Sequence, residues 1–416
     1  MNLRCLLVLA VAGTCGIPLS GYAAESLRLE EAVSRALASH PSLAAEAAQL
    51  KAVQARAQRE GLATPFMIGA DVENVGGTGA FRRAQSAETT LRIGRVIELG
   101  GKREARQALG SAEINQQQNL SEATRLDVIS RTSLRFITVL ADQQRLKYAQ
   151  EQVGQAERTR REVANWVAAA RNPESDLRAA EIAVADAELE RTRVEHKLTS
   201  ARLTLASSWG VLTPDFETAA GNLLVLPKVE SLDTLVARLP MTPEQRAALL
   251  EAESIAARKR LAEASAKPDV TVNLGVRRLE ATSDQALMMS VSIPLGNQVR
   301  SGLSIAEANA QQIALEARRD AQRFEHYQSL FGKYQELNQA RTEAETLQKH
   351  MLPKAEEALA FTRRGFEAGR FSFLALAQAQ KTLFELRQRA VDAAARCQIL
   401  MTEVERLTAI APEPTP

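Results

Sequence analysis

Two carboxylates, Glu174 and Asp176, follow Pro173 at the start of a helical pattern. At such a start an acid offsets unpaired amides and the helix dipole. Repeated by symmetry around an opening, the same pair becomes an acidic ring that favours cations. Other candidate chemistry fades on inspection. The four histidines, His40, His196, His326 and His350, form no pair at metal-ligand spacing and have no carboxylate companion in a motif. They read as structural or solvated. Cys397 falls on an apolar heptad position, where a packed thiol is expected. Gly76, Gly77 and Gly79 hint at a phosphate loop, yet they join two strand-like runs rather than a strand and a helix. No nucleophile stands beside a base. The chain reads as a non-enzyme with no catalytic, cofactor or metal site, and its net charge of +2 argues against a nucleic-acid partner.

The compartment is written at the start. Arg4, the apolar run Leu6 to Ala12, and the small residues Gly21 and Ala23 make a secretory signal peptide over 1–23, cut after Ala23 or Ala24. Cys15 invites a lipoprotein reading, but Ala12-Gly13-Thr14 before it is a poor lipidation box. Beyond it no apolar run reaches the ~18 residues of a membrane-spanning helix. The chain so processed keeps one cysteine, Cys397, which excludes an internal disulfide. Aromatic residues are only 4% of the chain. Such a composition suits long helices packed through small side chains.

The elements that must hold these residues come twice. Glu98-Leu99-Gly100-Gly101-Lys102-Arg103 closes a strand-like run and opens a helical one, and Pro294-Leu295-Gly296-Asn297 does so again. Ser175-Asp176-Leu177 and Ser372-Phe373-Leu374 each start a helix, and the two correspondences sit at nearly one offset, with no gap required. Each half therefore reads as helix, β-hairpin, very long helix, turn, long helix. The pieces are 27–62, 66–97, 102–170 and 175–209, then 243–267, 269–295, 301–364 and 373–409. The resulting plan is a first repeat over 24–210, a connecting segment over 211–242, a second repeat over 243–411, and a disordered tail over 412–416. The turns of interest span 165–177 and 364–374.

No proline interrupts Lys102 to Ala170. A helix of that length reaches roughly 100 Å. Leu376, Ala379, Leu383, Leu386, Ala390, Ala393, Cys397, Leu400, Val404 and Leu407 alternate steps of three and four, a coiled-coil seam. Ala180, Val184, Ala187, Val194, Leu198, Ala201 and Leu205 repeat it, broken only by Arg191.

The strand runs alternate differently. Phe66, Ile68, Ala70 and Val72 take one face and Met67, Gly69, Asp71 and Glu73 the other. Leu91 and Ile93 flank Arg92 on the return. Val270, Val272, Leu274 and Val276, then Leu287, Met289, Val291 and Ile293, repeat the pattern. Runs of about 10 residues cross a bilayer when tilted, apolar side outward. Four strands leave unpaired edges in lipid, so copies of the chain must combine to close a barrel.

In this order the marks resemble the TolC family of outer-membrane efflux proteins across nearly the whole chain after the signal. They are Ala36-Leu37 with His40-Pro41-Ser42-Leu43, the exit Glu98 to Arg103, and the turn Phe366-Glu367-Ala368-Gly369-Arg370-Phe371-Ser372-Phe373-Leu374 with Ala377-Gln378-Ala379-Gln380. Leu-Gly-Gly-Lys-Arg is similar to the heavy-metal, CzcC-like branch, although the second exit, Pro294 to Gln298, lacks the longer family form. The resemblance implies a mainly α homotrimer with a twelve-stranded β-barrel continuing into an α-helical barrel. It implies a passive duct for heavy-metal cations in the outer membrane, met by a periplasmic adaptor (membrane fusion) protein beneath an inner-membrane RND-type pump. Glu174 and Asp176 become a tip gate, and Gly365, Gly369, Arg370 and Ser372 an adaptor-docking turn. Drug, organic-solute or type I secretion cargo fits the same family. A periplasmic coiled-coil scaffold would explain the helices but not the hairpins.

Overall fold

Helix length sets the proportions of the molecule. The computed structural model describes residues 26–410, so the expected signal peptide, Cys15 and the tail over 412–416 lie outside the described residues. The chain opens with α1 (Leu29–Ser39) and α2 (Pro41–Glu60). The single helix expected over 27–62 is thus two. Pro41 disfavours helical backbone at the residue before it, and His40 is extended, with φ −66° and ψ 125°. His40 instead caps α2: its Nδ1 accepts the Ser42 N–H at 3.2 Å, with Pro41 in the first turn, where no N–H is missed.

Next come β1 (Phe66–Glu73), β2 (Glu88–Ile97), α3 (Lys102–Ala168) and α4 (Glu174–Ala206). The connecting stretch holds the short α5 (Leu232–Arg238). Leu27 ties the chain start to it, donating its N–H to Thr218 O at 2.9 Å and accepting from Ala220 at 2.7 Å. The second half brings α6 (Pro243–Ser265), β3 (Val270–Leu279), β4 (Asp284–Ser292), α7 (Asn297–Thr346), α8 (Leu352–Glu367) and α9 (Phe373–Leu407). A π-turn, Leu347–Met351, separates α7 from α8, in place of the one helix expected over 301–364. Pro353 supplies the reason, because it has no N–H for the preceding turn and its ring crowds that turn's carbonyls.

The halves correspond at the level of single bonds. Ala170 N–H reaches Val167 O at 2.9 Å and Arg171 N–H reaches Trp166 O at 2.8 Å. Gly369 N–H reaches Phe366 O and Arg370 N–H reaches Gly365 O, both at 2.8 Å, and each pair is 199 residues further on. Both are Schellman closures of a long helix. They revise the expected alignment: Ser175 lies inside the first turn of α4, whereas Ser372 is the residue that caps α9. The 199-residue spacing also places Ala180 on Ala379, Leu198 on Cys397 and Leu205 on Val404, seam on seam.

Among the described residues the three largest buried clusters stack along the rods. One joins Leu27, Phe136, Leu205, Trp209 and Phe216 near the connecting stretch. Another joins Leu235, Leu330, Leu337, Cys397 and Leu400. The third, toward the turns, joins Val163, Ala180, Leu359, Phe366, Phe373 and Leu376. Small seam residues such as Ala187 and Ala394, both fully buried, let helix backbones approach closely. An ion pair latches the halves where strands meet helices: buried Lys102 reaches Asp269 at 2.5 Å.

Candidate functional site

The four strands form one antiparallel sheet in the order β1-β2-β3-β4, with the two hairpins joined through β2 and β3. Register turns the alternation of each strand into two coherent faces. Ile68, Ile93, Leu274 and Met289 stand in one rung, and Ala70, Leu91, Val276 and Leu287 in the next. Below them come Phe66, Arg95, Val272 and Val291, then Ile97 beside Val270. Ile68 is 84% and Leu287 86% exposed, a large cost in water. Rungs on one face are about 7 Å apart, so these four cover about 20 Å, close to the apolar band of a membrane barrel.

The opposite face is charged and cross-linked. Arg92 meets Asp71 at 3.0 Å. Arg277 meets Glu88 at 2.7 Å, Glu73 at 3.0 Å and the Thr90 hydroxyl at 2.9 Å. Gly69 and Gly275 flank Arg92 in its rung. A Cβ on Gly69 would lie 2.9 Å from Arg92 Nε, so the glycine makes room for the guanidinium. Asp71, Glu73, Glu88 and Asp284 outnumber Arg92 and Arg277 on this face, which is therefore acidic. At its foot Glu98 binds Arg106 at 2.5 and 3.0 Å, and that guanidinium holds the Glu98 carboxyl below the usual carboxylate range.

The far ends of the rods carry the residues singled out from sequence. Glu174 and Asp176 lie in the first turn of α4. Glu174 is ion-paired with Arg178 at 2.8 Å. Asp176 accepts from the Asn172 amide at 2.8 Å and has no cationic partner among the described residues. On the second turn Gly369 has φ +72°, the left-handed conformation glycine adopts freely. A Cβ on Gly365 would meet the Phe371 ring at 2.1 Å, so that ring packs on bare backbone. The Ser372 hydroxyl accepts the Ala375 N–H at 3.3 Å, and Arg370 is exposed. Trp166 stacks on Phe366 at 4.4 Å between centroids, bringing the two turns together. Sequence reasoning misses this clasp. Only the aromatic types at 166 and 366, in a chain poor in them, point that way.

The remaining candidates are dispersed. His326 Nδ1 is 2.8 Å from the Gln245 amide nitrogen, His196 is exposed on α4, and His350 is in the π-turn. Among the described residues no three His, Cys, Asp or Glu side chains gather as a metal site. Cys397 is fully buried, and burial pushes its thiol pKa up. Gly76, Gly77 and Gly79 lie in the β1–β2 loop, closed by the Gly77 N–H to Phe81 O bond at 2.9 Å. A groove of about 1100 Å³ between α3, α4 and α9 is walled by Glu151, Asp186, Arg193, Lys197, Arg387 and Asp392. Its mixed charges give a solvated wall.

Residues 239–409 match the outer membrane efflux protein family. Over 400 residues the chain is 30% identical to the cobalt-zinc-cadmium resistance protein CzcC of Cupriavidus metallidurans, covering 95% of this chain and 93% of that one. This chain belongs to the outer membrane efflux protein family. Solved structures agree in fold. CusC, described for its folding and transmembrane channel formation, superposes with a TM-score of 0.76 at 14% identity, over 91% of each chain. The outer membrane protein VceC of Vibrio cholerae gives 0.75 at 17% identity, over 92% of this chain and 97% of its own. Membership of the outer membrane efflux family makes this a mainly α efflux protein of the outer membrane, in a family of transport proteins rather than enzymes.

Proposed function

We propose that this chain is the exit channel of a tripartite efflux system and passively conducts divalent metal cations. The observation that carries the reading is the sheet: one face is apolar and exposed, the other charged and acidic, and it stands on rods about 100 Å long. Strands β1 and β4 have free edges within the chain, which lipid does not tolerate. Three copies closing twelve strands satisfy every edge, and the helices then continue the barrel as a tunnel through the periplasm. The signal peptide is removed after Ala23, and the repeats divide at the connecting segment 211–242.

The channel supplies a path and no energy, so it performs no catalysis and needs no resident cofactor. An inner-membrane pump of RND type and a periplasmic adaptor deliver cargo to the turns. Glu174 and Asp176 form the acidic ring there, and Gly365, Gly369, Arg370 and Ser372 the docking turn. Metal cargo is supported by the likeness to a cobalt-zinc-cadmium resistance protein and by the acidic inner face, since tight ligand clusters would slow release.

Growth of a deletion strain, with and without the restored gene, on zinc, cobalt, cadmium and hydrophobic antibiotics tests the reading. Metal sensitivity alone, cured by the gene, is the expected result. Antibiotic sensitivity alone would keep the duct and overturn the metal cargo.

A further inference from the structure

One rung of the apolar face is out of character. Between Phe66 and Val272 it carries Arg95, on a surface where a guanidinium is costly at mid-membrane and tolerated only near the interface. Arg95 lies one rung above Ile97, at the lower margin of the apolar band. It stands 5.0 Å over the Phe66 ring and donates Nε–H to Thr64 O at 3.1 Å. Its terminal amino groups have no acceptor among the described residues.

Arg95 opens onto a concavity of about 580 Å³ between the foot of the sheet and the start of α3. The upper wall includes Phe66, Ile93 and Leu274 of the apolar face, and the base includes Arg103 and Glu104. Arg103 is held as Arg95 is, through Nε–H to a backbone carbonyl, Gly61 O at 2.9 Å, with its terminal amino groups uncommitted. Glu104 is exposed and has no ion-pair partner among the described residues. The other charges lining the site are spent, Lys102 on Asp269 and Glu98 on Arg106. Two guanidiniums without an anionic partner and one carboxylate without a cationic one, among the described residues, thus line one concavity below an apolar wall. An anion for the pair of arginines, a cation for Glu104 and an acyl chain for the wall together describe a single molecule.

We propose that this concavity binds a phospholipid of the periplasmic leaflet whose headgroup carries a primary ammonium, with its phosphate on Arg95 and Arg103 and its ammonium on Glu104. The inference rests on the reading of the apolar face as lipid-facing. Pairing with other copies at the β1 and β4 edges uses backbone groups in the plane of the sheet, so the face that carries Phe66, Arg95 and Leu274 stays open to lipid. A built headgroup site fixes the depth at which barrel passes into helices.

Native mass spectrometry of the full-length assembly, released from nanodiscs of equal parts phosphatidylethanolamine, phosphatidylcholine and phosphatidylglycerol, tests it. The expected result is preferential retention of phosphatidylethanolamine. Arg95→Gln with Arg103→Gln should weaken that retention roughly tenfold, as loss of charge-assisted bonds predicts. Glu104→Gln, at an exposed position, should assemble normally and abolish the preference over phosphatidylglycerol. Retention blind to headgroup, or unchanged in both variants, would overturn the site and leave the channel reading intact. An assembly that retains no lipid of any class, and that carbonate washes from membranes, would overturn the lipid-facing sheet itself.

Discussion

The two turns at the far end of the rods share a backbone and differ in chemistry. At Ala169–Pro173 and at Ala368–Ser372 the same Schellman bonds close the preceding helix. The first turn puts Ala170 at φ +54° where the second has Gly369 at φ +72°. It is followed by Glu174 and Asp176, whereas the second displays Phe371, 51% exposed, and Leu374, 76% exposed. The two halves share these hydrogen bonds and differ in their side chains. One turn carries carboxylates and the other exposed apolar side chains, a difference that backbone geometry alone would conceal.

The sharpest way to break the comparison is to undo the clasp between the turns. Phe366 is 1% exposed and stacked on Trp166, so Phe366→Ala should cost about 3–5 kcal/mol in denaturant unfolding of the purified channel. A loss below about 1 kcal/mol would mean the turns are held by something else. Next in size is the left-handed residue itself. Gly369→Ala should destabilise by about 1 kcal/mol, and Ala170→Gly should stabilise by a similar amount or less. Equal signs for the two would show that the shared geometry does not govern both turns. Smaller still is the division of charge. Asp176→Asn should lower cation selectivity in bilayer recordings more than Glu174→Gln does, because Arg178 already offsets Glu174. No change for either would remove the acidic ring.

The smallest effect belongs to His40, at the opposite end of α2 from the sheet. Burial, then Arg131 and Arg135, lowers its pKa. The unfolded chain therefore binds that proton more readily, and stability present above about pH 6.5 should fall as pH drops below it. The Nδ1 cap on Ser42 is lost with protonation. His40→Asn, which retains a cap, should flatten the slope, as thermal melts between pH 5 and 8 would reveal.

Much of this architecture is legible in the chain. Absence of proline from 102 to 170 announces α3, and period-two alternation announces all four strands. Local breaks are also signalled, by Pro41 and by Pro353, though a pattern of apolar spacing overrides them when read first. The ion pairs of the charged face of the sheet are hidden, since Arg277 meets Glu73 and Glu88 only once three strands take their register. Trp166 and Phe366 are hidden for a related reason: they are 200 residues apart and no periodicity links them. The alignment of the halves slips because the turn sequences diverged while their bonds did not.

The π-turn at Leu347–Met351 bears on how this chain tolerates change in length. A π-turn is an α-helix holding one residue too many, absorbed without rotating the helix beyond it. Everywhere else on these rods a lost or gained residue would swing every later side chain about 100° around the axis and tear the seams apart. Here the excess is stored locally, so a chain shortened by one residue between 347 and 351 would close the wide turn and keep only the break in hydrogen bonding that Pro353 imposes. Leu359, Phe366 and the turn beyond them would keep their bearings. The segment is a take-up coil in an otherwise inextensible rod.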